Sequence, residues 1–285
     1  MARRSGRLAD ARRVRRRAGA GVLPRRCGAR RPHDAHRPDP RPQRAPHRRG
    51  HLQGVHARAR CGDRHRPAGA GRAVHQGRAV IAVVDYGVNN LASVVRALAA
   101  AGHPGTLTAD PEVVRRADRV VLPGVGNFGR AAVTLAVTGL GEALRDVAAA
   151  GRPLLGICLG MQLCHRESEE APGATGLGLL PGRVIRFRTT RHVPHVGWAE
   201  VRVTDAGRRH AVAGPLLGET GQFYYHVHSY HPADLPEDAI LGVGDYDGRF
   251  PTLVGQGSVL GAQFHPEKSQ QAGIALLKAF AEWTP

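Results

Sequence analysis

Cysteine, lysine and aromatic residues are scarce in this chain, and each scarcity excludes something. Only four cysteines occur in 285 residues. Cys27 and Cys61 lie far from the pair Cys158 and Cys164, which are six apart on one predicted helix and too far round it to bond. There is no disulfide framework and no zinc-ligand spacing, which fits a reducing compartment and predicts a cytoplasmic protein. No apolar run reaches the ~20 residues of a membrane span, so no membrane association is expected.

The other scarcities divide the chain. Residues 1–78 contain no Phe, Trp, Tyr, Lys or Glu and only three Leu, whereas they hold 23 Arg and 4 Asp, about +19. The whole chain carries +18, so everything after residue 78 sums to about −1. Such a segment has too little apolar surface to offset the entropy of ordering its backbone, so residues 1–79 are expected to be a disordered basic extension. An arginine-rich arm could neutralise phosphates, but no aromatic is interleaved to stack on bases, and nucleic acid is not expected as a partner. An organellar targeting peptide would be Ser-rich and amphipathic, and the segment has one Ser with many Pro and Gly.

From residue 80 to 285 the pattern is that of one globular domain. Val80 to Asp85, Arg119 to Leu122 and Pro153 to Ile157 read as buried strands, with helices over Asn90 to Ala101 and Leu140 to Ala150 between them. That alternation predicts an α/β fold whose mainly parallel sheet is flanked by helices. Further on, Val184 to Arg188, Trp198 to Val203, Phe223 to His228, Ile240 to Asp245, Thr252 to Gly255 and Val259 to Phe264 read as short strands separated by turns. The sheet is therefore expected to be open and mixed.

One stretch carries chemistry. In Gly156-Ile-Cys-Leu-Gly160 a buried strand runs straight into a helical pattern, and Cys158 sits at the turn between two glycines. Gly-x-Cys-x-Gly has the shape of a Gly-x-Ser-x-Gly nucleophile elbow, and the amides of a helix N-terminus favour an anionic sulfur. A buried structural cysteine beside two packing glycines is the alternative. About a hundred residues later, His265-Pro-Glu267 ends the last strand. A thiol nucleophile needs a base and a group to orient that base, and in an extended segment residues at i and i+2 leave on one face.

These motifs, with Asp85-Tyr-Gly-Val-Asn-Asn-Leu91, Leu122-Pro-Gly-Val-Gly-Asn-Phe128, Gly176-Leu-Gly-Leu-Leu-Pro-Gly182, Val193-Pro-His-Val-Gly-Trp198, Tyr224-Tyr-His-Val-His-Ser-Tyr230 and Gln263-Phe-His-Pro-Glu-Lys-Ser269, resemble the triad-type (class I) glutamine amidotransferases over residues 81 to about 282. Within them, Asp-Tyr-Gly, Pro-Gly-Val-Gly, Pro-His-x-Gly-Trp and Glu-Lys-Ser resemble the glutaminase subunit of imidazole glycerol phosphate synthase. The resemblance implies a catalytic triad of Cys158, His265 and Glu267 that hydrolyses L-glutamine through a cysteine thioester. It implies an oxyanion hole from Leu159 with Val125 or Gly126, and glutamine binding by Gln162, His228, Ser229 and Tyr230. It also implies a heterodimer with a cyclase subunit, which uses the ammonia to make imidazole glycerol phosphate and an aminoimidazole carboxamide ribotide in histidine biosynthesis. His195, Trp198 and Lys268 would lie at that interface, and no metal or cofactor is implied.

Two positions depart from the family pattern. Asn89 stands where a glycine is usual, and Asn tolerates a left-handed backbone, so the turn should survive. Ala199 replaces an asparagine, which removes an expected interface hydrogen bond. Another triad amidotransferase, of anthranilate or pyridoxal phosphate synthesis, is the near rival; a basic nucleic-acid-binding protein with a degenerate α/β domain is the distant one.

The resemblance also bears on residues 1–79. Read one nucleotide later with GC-rich codons, Arg44 to His56 give Gly-His-His-Thr-Ala-Glu-Ala-Thr-Ser-Lys-Ala-Phe, similar to a metal-binding segment of imidazoleglycerol-phosphate dehydratase, an enzyme of the same pathway. This leads to the expectation of a translated upstream frame and a native start near Val80.

Overall fold

A computed structural model of the chain describes residues 79–285. The expectations for the basic extension and the start near Val80 lie outside the described residues, Ala79 and Val80 apart.

The chain alternates from its first described strand. β1 (Ile81–Val84) leads to α1 (Leu91–Ala100), β2 (Gly105–Thr108), α2 (Pro111–Arg116) and β3 (Arg119–Leu122). Then come α3 (Phe128–Val137), α4 (Leu140–Ala149), β4 (Leu154–Ile157) and the short α5 (Leu159–Cys164). β5 (Arg183–Arg186) and β6 (His195–Val203) precede two one-turn helices, α6 (Asp205–Arg209) and α7 (Ala213–Leu217). β7 (Gln222–His228), β8 (Tyr230–Ala233), β9 (Ile240–Asp245), β10 (Arg249–Gln256) and β11 (Val259–Ala262) follow, and α8 (Gln270–Glu282) closes the chain.

Nine strands form one sheet in the order β2-β1-β3-β4-β11-β10-β9-β6-β7. β2, β1, β3, β4 and β11 are mutually parallel, and β10, β9, β6 and β7 continue the sheet antiparallel. The mixed sheet is thus as expected from sequence. β1 and β4 are buried along their whole length, as strands covered on both faces must be. Their alternate side chains feed two cores: Ile81, Val83, Leu155 and Ile157 meet α1, α7 and α8, whereas Ala82, Val84 and Leu154 meet α2, α3, α4 and α5.

Several elements have no strong sequence signal. β2 is GTLT, largely unburied and at the sheet edge. α2 is a six-residue helix defined less by periodicity than by its ends, with Pro111 at the first turn and the Asp110 side chain accepting from Glu112 N–H. β8 pairs antiparallel with β5 in a separate two-stranded ribbon. No helix among the described residues is long and apolar enough to cross a membrane.

The glycines around the elbow are required by close backbone approach. A Cβ on Gly156 would lie 2.6 Å from Met161 Cα, and one on Gly160 would collide with the Leu122 carbonyl oxygen at the end of β3. Gly160→Ala should therefore destabilise the fold by on the order of 3 kcal/mol or more, because backbone has to move. A urea midpoint within about 0.5 kcal/mol of wild type would show that the elbow is not packed this way.

Candidate active site

Cys158 follows β4 directly and precedes α5. Its φ of 53° and ψ of −111° place a non-glycine residue in a sparsely populated region. The conformation is held from both sides: Cys158 N–H donates to Ala262 O at 2.7 Å, and its carbonyl accepts from Gln162 N–H at 3.0 Å. The thiol is almost buried, 7 % exposed, and opens into a cleft of about 420 Å³. Cys164, at the other end of α5, is fully buried and donates its thiol to Gly160 O, which accounts for it as a packing residue. Both cysteines are free.

His265 follows β11, which lies beside β4 in the sheet. Its Nδ1 faces Glu267 Oε1 at 2.7 Å, and both side chains are 1 % exposed. The extended segment expected from sequence does not make this pairing. Pro266–Lys268 form a single 3-10 turn instead, so Glu267 folds back under the imidazole. Ser269 locks that turn: its hydroxyl donates to His265 O at 2.6 Å and accepts from Tyr225 N–H at 3.0 Å, while His265 N–H donates to Tyr225 O. Burial alone would lower the basicity of the His265 imidazole. The charge of Cys158 beside it and the hydrogen bond to Glu267 outweigh this and push its pKa up to about 10. Its Nε2 is buried with no hydrogen-bond partner.

The cleft brings together Val125, Gly126, Cys158, Leu159, Gln162, His228, Ser229, Tyr230 and Lys268 from separate segments of the sequence. A larger groove of about 850 Å³, lined by His195, Trp198 and Tyr246 among others, lies elsewhere and does not include the thiol. Size is the weaker guide here, because only the smaller cleft contains a nucleophile beside helix amides. Gln162 is buried and donates to Tyr230 O at 3.2 Å and to Gln263 Oε1 at 3.1 Å, so it is not an exposed helix position. His228 donates from Nδ1 to the same Tyr230 carbonyl at 2.8 Å.

Three expectations meet particular surroundings in the folded chain. Leu159 N–H is not free: it donates to Gly124 O at 3.3 Å, a long bond that occupies the expected oxyanion donor. His195, expected at the interface, is 4 % exposed and stacked on Tyr246 at 4.0 Å between ring centroids. The left-handed residue of the first turn is Asn90, with φ 76°, and not Asn89. Trp198, 47 % exposed, and Lys268 are at the surface, where an interface needs them.

Sequence reading missed three side chains of the site. Asn90 Nδ2 donates to Glu267 Oε1 at 2.6 Å, the same oxygen that receives His265. Gln263 is fully buried, with Nε2 3.8 Å from Cys158 Sγ. Glu170 lines the cleft, its Oε2 accepting from Phe128 N–H at 2.7 Å. Asn90 and Gln263 stand inside motifs that sequence can single out, but no spacing says which side chains meet. For Asn90→Ala we expect kcat to fall roughly tenfold, a fraction of the 10²–10⁴ of general acid–base catalysis, with KM little changed. A KM effect alone, or no effect, would show that Asn90 does not position Glu267.

An elbow cysteine at the end of a parallel strand, with a buried His–Glu pair on the adjacent strand, makes the class an α/β thiol hydrolase. The family model for "Glutamine amidotransferase class-I" matches residues 82–282. The imidazole glycerol phosphate synthase subunit HisH of Bacillus cereus (strain G9842) is 45 % identical over 201 residues, covering 70 % of this chain and 93 % of that protein. The corresponding HisH of Bacillus subtilis (strain 168) is 43 % identical over 210 residues, covering 71 % and 96 %. Among solved structures, a glutamine amidotransferase superposes with a TM-score of 0.58 at 22 % identity, over 71 % of this chain and 97 % of its own. The glutaminase domain of the Trypanosoma brucei CTPS gives 0.53 at 18 %, over 73 % and 95 %. At those identities the two structures speak for the fold alone. The chain belongs to the class-I glutamine amidotransferase family, among the HisH subunits of imidazole glycerol phosphate synthase.

Proposed function

We propose that this chain is the glutaminase of an imidazole glycerol phosphate synthase, with Cys158 as nucleophile, His265 as acid and base, and Glu267 as the group that orients His265. The observation that carries the reading is the elbow thiol opening into the same cleft as Gln162, His228, Ser229 and Tyr230, with the His265–Glu267 pair buried behind it. Sulfur attacks the side-chain amide carbon of glutamine. The protonated His265 gives its Nε2 proton to the departing nitrogen, and ammonia leaves a thioester. His265, now neutral, takes a proton from water as it attacks that thioester, releasing glutamate and restoring the thiolate–imidazolium pair.

The tetrahedral oxyanion needs aimed N–H donors. Leu159 N–H serves only when the Gly124 carbonyl moves off it, so the 124–126 backbone has to shift before this donor is available. Gly126, exposed with φ 115°, gives that segment its freedom. Glu170 is the one carboxylate lining the cleft and suits the α-ammonium group of glutamine.

The ammonia passes to a cyclase subunit, which docks on the exposed face that carries Trp198 and Lys268. Trp198 meets Tyr225 edge-to-face at 6.3 Å and Lys268 Nζ lies 5.7 Å over the same Tyr225 ring, so the surface is continuous with the cleft rim. Exposed Val196, 56 %, adds an apolar contact on the same strand face. The test is ammonia release from glutamine by the full chain, alone and with a cyclase subunit from the same source. Release should rise sharply with the cyclase, and Trp198→Ala should weaken the rise. Cysteine-dependent release that the cyclase leaves unchanged would overturn the partner; no cysteine-dependent release in either condition would overturn the glutaminase.

A further inference from the structure

β6 and β7 place three histidines on one buried face, outside the proposed triad. His226 and His228 are two apart on β7, and His195 on β6 is the cross-strand neighbour of His228. An i, i+2 pair on one strand and a residue opposite on its antiparallel partner converge on one point. Their ring nitrogens lie within 4.8 Å of one another. All three residues are nearly sealed from solvent, at 4 %, 0 % and 5 % exposure.

The hydrogen bonding fixes what these rings offer. A carbonyl can only accept, so His228 Nδ1, 2.8 Å from Tyr230 O, carries the proton and its Nε2 presents a lone pair. That lone pair accepts from His226 Nδ1–H at 3.1 Å, a proton that moves to His226 Nε2 when an ion takes its place. A ring nitrogen held by a backbone carbonyl while the other faces inward is the arrangement that orients histidine ligands. Two nitrogens about 2.0–2.1 Å from a tetrahedral ion are about 3.3 Å apart, close to the spacing found here. His195 Nδ1 is buried with no hydrogen-bond partner, which costs stability unless something occupies it.

We propose that His195, His226 and His228 form a divalent metal site of the zinc class, three imidazole nitrogens with a fourth position for water. An all-imidazole set selects Zn²⁺ or Co²⁺ over Mg²⁺ or Ca²⁺. The ion has two ways in, since His195 lines the 850 Å³ groove and His228 lines the thiol cleft. The site shares His228 with the thiol cleft, so an ion there would hold the His228 ring at the cleft rim.

The test uses the full chain, stripped with a chelator, and Co²⁺ or Zn²⁺ alone as probe. Wild type should bind one equivalent more than His226→Phe or His195→Gln, with the intense visible bands of tetrahedral Co²⁺ and no added thiolate charge-transfer band. The seven histidines and two cysteines of residues 1–78 contribute equally to all chains and cancel in the difference. Cys158→Ala should keep that equivalent; its loss would move the metal to the thiol and overturn the site. Equal stoichiometry in wild type and in either folded variant would overturn it too. Should neither variant fold, wild type decides: Zn²⁺ at a hundredfold excess over Kd should raise its unfolding temperature by about 5–10 °C. An unmoved unfolding temperature defeats the proposal.

Discussion

Cys158→Ala should release ammonia from glutamine at least about 10⁴-fold more slowly than wild type, with the cyclase present or absent. The size follows from the chemistry: without sulfur no thioester forms, and the cleft and its amides can only bind. The fold should survive, because Ala removes one atom from a residue whose thiol receives only a long hydrogen bond from Gln263 Nε2, at 3.8 Å. Cys164→Ala is the contrasting variant. It opens a small void in a fully buried position and should lower stability by about 1–2 kcal/mol while leaving turnover within twofold. Glu267→Gln should cost about 10²–10⁴ in kcat, since an amide in place of the carboxylate leaves the imidazolium without its anionic partner. Effects of Cys158, His265 and Glu267 will not add, as they act on the same proton. Residual activity of Cys158→Ala within tenfold of wild type would remove the thiol from the mechanism.

Acid should unfold this protein well before its carboxylates protonate. His165, His226 and His228 are at most 5 % exposed, and burial is the first cause that lowers the pKa of each. For His165 the value falls to about 4 despite the bond from its ring to Pro181 O; for His226 it falls to about 3, helped by neighbouring His195 and His265. Unfolded histidine has its ordinary value near 6.5. Between about pH 6.5 and pH 4 the unfolded chain therefore binds more protons than the native one, and stability falls as pH falls. At pH 5 His165 and His226 each remove about 2 kcal/mol relative to pH 7, together on the order of 4 kcal/mol from a total of about 5–15, and His228 acts in the same direction. His265 acts in the opposite window: raised to about 10, it stabilises the native state fully below pH 6.5, and that contribution is lost as pH rises to about 10. Urea midpoints measured from pH 8 to 4 should drop steeply below pH 6.5, and His226→Phe should flatten the drop. A midpoint constant from pH 7 to 5 would show that these imidazoles are not buried neutral.

The elbow was legible in the sequence because its demands are local. Gly156 and Gly160 leave room for backbone, the buried run Leu154–Ile157 fixes the strand, and Cys158 at their junction can face only the sheet end. The strands of the mixed sheet were legible for the same reason, since β1, β3, β4 and β9 are segments of four to six mainly apolar residues. Edge strand β2 and ribbon strand β8 do not, because neither buries both faces and their pairing partners, not their composition, make them strands.

Residue types at short, fixed spacings were enough to single out the proposed nucleophile, the His–Glu pair and the α/β class. How Glu267 reaches His265 could be read only from the folded chain, where a 3-10 turn clamped by Ser269 takes the place of an extended strand. The folded chain likewise shows that Asn90, 177 residues before Glu267, supplies a donor to its carboxylate, that Leu159 N–H is held by Gly124, and that His195 turns inward to meet His226 and His228. The physical reason is common to the last three. Short-range chemistry is written in the backbone that carries it, whereas a contact across the sheet depends on strand order and register, which no local pattern contains.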